Sequence, residues 1–331
     1  MLRQDFPLAS RIAHDRGYLA DSDTEKLVAQ PPLGVILTGG RATRLRPLSE
    51  DMPKSLIPLL NRPLIAYSME LLASAGLREI VVVVGPSDDR TGPAAIEAAP
   101  PGVTVTVAVQ HEPKGSGDAM TSVGDALEGR HVVVAAVDTI LLGDLRPHVD
   151  AFMASGCDAW YVLHETDRPK DMGIVVLEGD RVMHLEEKPA EPRSNLALVG
   201  IWMVAPEVVA EMRAHPMVSP RGEVELSGTL SVMHEQGRPM GGSVFAGEWL
   251  DAGTLAALVG TQRVLLGERR SLVADDATVE GCTLGPNVVV GAGAVLKRVT
   301  LSDALVAPGA HLEGVSVSNV VVTGDGQVAS A

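Results

Sequence analysis

The sequence predicts an α/β protein whose mostly parallel sheet is followed by a short left-handed parallel β-helix. Three observations carry this expectation. Apolar and β-branched runs at 33–37, 80–84, 103–109 and 132–137 alternate with helical and loop stretches, the pattern of strands covered on both faces of a parallel sheet. Residues 61–75 set Leu64, Ile65, Met69, Leu71 and Leu72 at helical spacing, and Gly76 stands where a helix-ending glycine belongs. After Arg270 the charge thins. Leu284-Gly285, Val290-Gly291 and Leu296 then follow at six-residue steps, Val306 and Leu312 repeat the step, and Leu284, Leu301 and Val317 mark a period of sixteen or seventeen residues. Such a period suits coils with inward-pointing apolar residues; the alternative for this stretch is a small Gly-rich β-sandwich.

These signals divide the chain into an N-terminal extension (1–32), a catalytic-sized α/β domain (33–260), and a linker helix with the β-helix (261–331). The extension is polar, ends at Pro31-Pro32, and carries a weak amphipathic pattern over residues 6–18. A chain of 331 residues with 46% hydrophobic and 21% charged residues can bury more than one core. Its net charge of −15 argues against a nucleic-acid partner. Cys157 and Cys282 fit neither a disulfide framework nor a zinc site. No apolar run reaches membrane-spanning length and the start lacks a signal-peptide core, so the expected location is the cytoplasm, with no membrane partner.

In folds of this class ligands bind at the carboxyl ends of strands. The run at 33–37 opens into Thr38-Gly39-Gly40, where backbone N–H groups can approach phosphate oxygens. Thr43-Arg44-Leu45, Pro47-Leu48 and Pro53-Lys54 follow, so Arg44 and Lys54 bring two cations to that loop. The run at 103–109 ends in Gln110-His-Glu-Pro113-Lys-Gly115, and an amide there offers the donor and acceptor that a pyrimidine imide edge demands. Asp138 ends the run at 132–137, a natural position for a Mg²⁺ ligand.

The loop of Gly39, Gly40, Thr43, Arg44 and Lys54 resembles the signature of sugar-1-phosphate nucleotidyltransferases of the glucose-1-phosphate thymidylyltransferase type, G-G-x-G-T-R-L-x-P-L-T followed by P-K. The resemblance runs from Leu33 to Ala331 and recurs in order. Gln110 to Gly115 is similar to Q-x-x-P-x-G, Asp138 stands for the aspartate of G-D-N, and Trp249-Leu-Asp251-Ala-Gly253-Thr254 resembles W-x-D-x-G-T. Gly173, Glu187-Lys188-Pro189 and Ser194-Asn195 resemble the sugar-phosphate half-site. The resemblance implies a Rossmann-like mixed sheet and Mg²⁺ as cofactor, held by Asp138 and Asp251. It also implies base contacts from Gln110 and Gly115, sugar contacts from Gly173 and Glu187, and a phosphate contact from Lys188. The implied reaction joins an NTP, dTTP or UTP first, to a sugar 1-phosphate. Direct attack on the α-phosphorus needs no protein nucleophile, only positioning and charge neutralisation by Arg44, Lys54 and Lys188. The expected assembly is a homo-oligomer.

The sequence departs from the family pattern at three places. Ala42 replaces a glycine, Val137 and Thr139 flank Asp138 in place of glycine and asparagine, and Gly228 replaces the aspartate that ends the R-G-E-x-E-I-T-D segment beginning at Arg221. These departures leave two alternatives: guanylyl transfer to an unusual sugar or cyclitol 1-phosphate, and a silent nucleotide-sugar-binding regulatory subunit.

Overall fold

The computed structural model describes residues 30–40, 42–219 and 222–331. The amphipathic stretch expected at 6–18 and Arg221 of the R-G-E-x-E segment lie outside the described residues.

The body of the protein is built on eleven main strands. They are β1 (Leu33–Leu37), β2 (Glu79–Val84), β3 (Thr104–Val109), β4 (Val132–Ala136), β5 (Thr139–Leu142), β6 (Ala159–Glu165), β7 (Gly173–Glu178), β8 (Arg181–Glu187), β9 (Leu196–Val204), β10 (Met240–Val244) and β11 (Glu248–Asp251). Nine of them form one sheet in the order β3-β2-β1-β4-β9-β6-β10-β8-β7, and β5 pairs with β11 in a separate ladder. The first four strands are parallel. From β4 onward the pairing turns antiparallel, apart from β6 with β10. A further β9–β7 pairing closes β9, β6, β10, β8 and β7 into a ring. The expectation of a mostly parallel sheet therefore holds for the N-terminal half only; the sheet as a whole is mixed. The reason is local: Gly179 at φ 63 makes a tight turn between β7 and β8, which can join only antiparallel neighbours.

Side chains alternate across the sheet. Ile36, Ile80 and Val82 join one core with Leu64, Ile65, Met69 and Leu72 of the helix Leu64–Ser74. Leu33, Val35, Val81 and Val83 join another with Leu226, Leu230 and Met233 of the helix Leu226–Glu235. The first helix begins at Leu64, not at Asn61, because Leu60 (φ 50) and Asn61 (φ 60) form the turn of a small hairpin before it. It ends at Gly76, whose φ of +93 suits glycine.

The helix Leu255–Leu266 crosses the boundary expected at 260/261. Its start is fixed by Thr254, whose hydroxyl accepts the N–H of Ala257 at 3.1 Å. Beyond it, Ser271–Val273, Val288–Val290, Thr300–Val306 and Ser316–Val322 pair in parallel, and Thr278–Glu280, Val295–Lys297 and His311–Glu313 form a second parallel ladder. Val290, Leu296, Val306 and Leu312, read as inward-pointing, are buried together. Leu305 and Val321 belong instead to the core of the body. Buried Gln262 donates to Asn287 Oδ1 at 3.0 Å and to Ala304 O at 3.1 Å, tying the helix to these ladders.

No helix among the described residues is long and apolar enough to cross a membrane.

Candidate active site

Because β1, β3 and β4 run parallel, their carboxyl ends deliver Thr38-Gly39-Gly40, Gln110 and Asp138 to one side of the sheet. The β5–β11 ladder then pairs Thr139 with Asp251, and the N–H of Ala252 donates to Asp138 O at 3.0 Å. This antiparallel pairing sets the two aspartates side by side. A Cβ built on Gly253 would lie 2.8 Å from Asp138 Oδ2, 3.0 Å from Asp251 Oδ1 and 3.6 Å from Arg44 Nη2. Lys54 Nζ forms an ion pair with Asp138 Oδ2 at 2.6 Å. Two carboxylates and two cations thus share one cleft.

Asp251 keeps a solvent-accessible face. The surrounding protein nevertheless desolvates its carboxyl and raises its pKa above the ordinary 3.8. The 2.9 Å hydrogen bond from Gly253 N–H opposes the rise. Neighbouring Asp138 adds to it, while Lys54 and Arg44 oppose it.

The glycine loop has the character read from the sequence. Gly40 is at φ +117 with open space around its Cα, and Gly39 is exposed. Thr43, Arg44 and Leu45 form a short 3-10 turn, with Thr43 and Arg44 exposed and Leu45 anchored in the core. Ala42 precedes it at φ 45 and ψ 31, a left-handed conformation that costs a non-glycine residue about 1 kcal/mol or more. Its carbonyl accepts from Ser49 Oγ at 2.8 Å and from Leu45 N–H at 2.9 Å, which holds the turn in place.

Gln110 is buried at 4% exposure, and its amide corrects one expectation. Nε2 donates to Gly115 O at 3.1 Å and to Asp118 Oδ2 at 2.7 Å. Both amide hydrogens are committed to the protein, so Gln110 presents an acceptor rather than a donor–acceptor pair. Gly115 sits at φ +116 with Val224 O only 2.4 Å from where a Cβ would be, so no other residue fits.

Gly173 and Glu187 are paired across β7 and β8, and a Cβ on Gly173 would lie 3.0 Å from Glu187 Oε2. Lys188, at φ 46, donates its N–H to Met172 O at 3.0 Å and contacts Glu187 with Nζ at 3.2 Å. The structure therefore brings Gly173, Glu187 and Lys188 together as a second cluster, with Lys188 paired to Glu187 and not to the aspartates.

Several residues of the site carried no assigned role in the sequence. Asp118 lies three positions past Gly115 and orients Gln110. Gly253 leaves the gap between the aspartates. Thr139 donates its hydroxyl to Val199 O at 2.6 Å, beside Gly200 at φ +80 in the bulge of β9. Trp202 and Trp249 hold buried indole N–H groups with no partner among the described residues. Gly253, Trp249 and Thr139 stood in recognisable motifs, while Asp118 acts on Gln110 from eight residues away. A cavity of about 390 Å³ lies elsewhere, lined by Arg263, Arg269, Arg270 and Asp303. Arg263 there is paired with Asp303 at 2.7 Å.

Known proteins resemble the chain over the same region. A family model described as nucleotidyl transferase matches residues 33–267. A glucose-1-phosphate thymidylyltransferase from Streptomyces griseus is 30% identical over 81% of this chain and 79% of its own length. A low-salt glycan biosynthesis nucleotidyltransferase from Haloferax volcanii is 32% identical over 75% of this chain and 71% of its own. A crystal structure from Bacillus anthracis, assigned as a glucose-1-phosphate thymidylyltransferase and containing sucrose, superposes with a TM-score of 0.63 at 27% identity, covering 71% of this chain and 95% of that one. The match spans the glycine loop, both aspartates and the Glu187-Lys188 cluster, and the chain belongs to the nucleotidyl transferase family.

Proposed function

We propose that the protein transfers a nucleotidyl group from an NTP, dTTP or UTP by preference, to a sugar 1-phosphate, giving an NDP-sugar and pyrophosphate with Mg²⁺ as cofactor. The observation that carries this reading is the convergence of Arg44, Lys54, Asp138 and Asp251 on the gap above Gly253. The thymidylyltransferase relatives support the same reaction class.

The donor set fits Mg²⁺. Asp138 and Asp251 turn carboxylate oxygens toward one gap that a single methyl group would fill. A hard cation of this kind takes one or two carboxylates and completes its shell with water and substrate phosphates. Held by Asp138 and Asp251, it would neutralise charge between the reacting phosphates.

The rest falls to side chains of this chain. An oxygen of the sugar phosphate forms a bond to the α-phosphorus while the bond from that phosphorus to the bridging oxygen breaks. The electron pair leaves on pyrophosphate, and no protein nucleophile or proton transfer is required. The obstacle is repulsion between anions, so positioned cations carry the catalysis. Arg44 takes the departing pyrophosphate, Lys54 leaves Asp138 for the α-phosphate, and Lys188 meets the incoming phosphate. Glu187 and the open backbone of Gly173 face the sugar.

The parallel C-terminal ladders we read as coils of a left-handed hexapeptide β-helix. Asn287, Asp303 and Asn319 support this, since each takes positive φ just before the registered residues Val288, Ala304 and Val320. A homo-oligomer working in the cytoplasm completes the proposal.

The test is pyrophosphate release with Mg²⁺, a panel of NTPs and a panel of sugar 1-phosphates. Release that requires one of each establishes the reaction and names both substrates. No release and no NTP binding by calorimetry would sink it.

A further inference from the structure

The base pocket contains an orienting device. Gln110 follows β3 and its side chain is buried, so the way its amide faces decides what a base meets. Rotating that amide by half a turn exchanges an acceptor for a donor at the same place. In the structure the choice is made by two acceptors. Gly115 O takes one amide hydrogen at 3.1 Å, and the Asp118 carboxylate takes the other at 2.7 Å. Neither oxygen can donate, so a flipped amide would set Oε1 against a carbonyl and a carboxylate. The charge-assisted bond to Asp118 is the stronger of the two.

Asp118 is itself fixed. It lies in the helix Ser116–Thr121, and its carbonyl accepts from Ser122 N–H at 3.0 Å and Ser122 Oγ at 2.8 Å. Gly117 N–H, on the preceding residue, donates to Val224 O at 2.8 Å and pins this helix to a distant segment. Gln110 Oε1 accepts no hydrogen bond among the described residues, and it faces the glycine loop, 3.5 Å from where a Cβ on Gly39 would be. The N–H of Gly115 is likewise without an acceptor among the described residues.

We propose that Asp118 is a positioning residue for base selection: by locking Gln110 with Oε1 outward, it makes the site accept a base with a protonated ring nitrogen and reject one with a lone pair there. Uracil and thymine offer N3–H and guanine offers N1–H. Cytosine N3 and adenine N1 carry lone pairs at neutral pH and meet Oε1 acceptor to acceptor. The inference rests on the nucleotidyl-transfer reading for the identity of the ligand, and it concerns which NTPs are admitted.

Three variants test it: Asp118→Ala, which removes the second acceptor, Asp118→Ser, which offers a neutral oxygen, and Asp118→Asn, whose carbonyl can still accept. NTP binding is measured by calorimetry without sugar phosphate, and kcat/KM by pyrophosphate release with it, for UTP, dTTP, GTP, CTP and ATP. Folding of each variant is checked by its thermal melt. For Asp118→Ala the preference of UTP over CTP falls about tenfold, the size expected from losing one hydrogen bond to a charged group. Asp118→Asn retains the wild-type preference, and Asp118→Ser lies between. A uniform loss for all five nucleotides, or no change in preference, overturns the role of Asp118 while leaving nucleotidyl transfer standing. Wild-type protein that binds no NTP overturns both.

Discussion

Lys54 Nζ stands 2.6 Å from Asp138 Oδ2, with the two side chains only 15% and 17% exposed. A cation at that distance occupies the carboxylate that the proposed Mg²⁺ would take. Replacing Lys54 by Met should therefore have two opposite effects. Nucleotidyl transfer falls about a hundredfold, as for loss of one charge-stabilising donor. Mn²⁺ binding without nucleotide, followed by electron paramagnetic resonance, becomes tighter because the competing ammonium is gone. Looser metal binding in Lys54→Met would show that the lysine supports the metal instead of competing with it.

The turn that carries Lys54 is held from behind. Ser55, fully buried, shares a hydrogen bond with Thr91 Oγ1 at 2.5 Å, and Thr91 Oγ1 donates to Asp88 Oδ2 at 2.6 Å. Ser55→Ala and Thr91→Val each leave a buried hydroxyl or carboxylate short of a partner, at about 1–3 kcal/mol of stability. If the chain also aims Lys54, kcat falls several-fold with KM for the NTP nearly unchanged, and Thr91→Ser restores it. Matching losses in melting temperature with wild-type kinetics would confine the chain to a structural role.

The readable part of this site is the part made by local sequence. Asp138 ends a short, β-branched apolar run, the pattern of a buried strand, so its position at the carboxyl end was legible. Ala42 was legible as a departure, since it replaces a glycine of the family pattern, and the structure places it in a left-handed turn. The pairing of Asp138 with Asp251 was implied by the family resemblance, but the ladder that enforces it was not legible. Thr139–Leu142 meets Glu248–Asp251 across more than a hundred residues, and neither segment alone states its mate. The closed ring of β9, β6, β10, β8 and β7 was hidden for a similar reason: its strands carry charged ends and a bulge at Gly200 that blur the alternation. Asp118 was passed over because orienting an amide leaves no spacing rule in the sequence.

His148 gives the fold a dependence on pH. It is buried at 7% exposure, its Nδ1 shares a 2.6 Å hydrogen bond with Ser243 Oγ, and Ser243 also accepts from Trp160 Nε1 at 2.9 Å. Burial pushes its pKa below the ordinary 6.5, with only Asp144 acting against the shift. His131 is shifted the same way by burial, opposed by Glu207. A histidine depressed in the folded state binds protons better when unfolded. Its contribution to stability is thus full above the ordinary 6.5 and is lost as pH falls through the folded value. Melting temperature should drop from pH 7 to pH 5.5, and His148→Gln should flatten that limb. An unchanged slope in the variant would assign the acid sensitivity to other groups.

Gly253 is the most economical place to separate folding from chemistry. It takes no left-handed φ, so alanine is allowed by its backbone. The added methyl would lie 2.8 Å from Asp138 Oδ2 and 3.0 Å from Asp251 Oδ1. Both are tips of short side chains that can give by a few tenths of an ångström, so Gly253→Ala should fold with a melting temperature near that of the wild type. Those few tenths separate the carboxylates and fill the gap between them. A misplacement of about 1 Å at a reacting centre costs about a hundredfold in rate, and here a smaller shift is joined by loss of the gap that the proposed Mg²⁺ would occupy. The expected result is a folded protein that binds Mn²⁺ more weakly and transfers nucleotide roughly a hundredfold more slowly, with base preference unchanged because Gln110 lies elsewhere, just beyond β3. Full activity in this variant would mean that the two aspartates do not act through the space above Gly253.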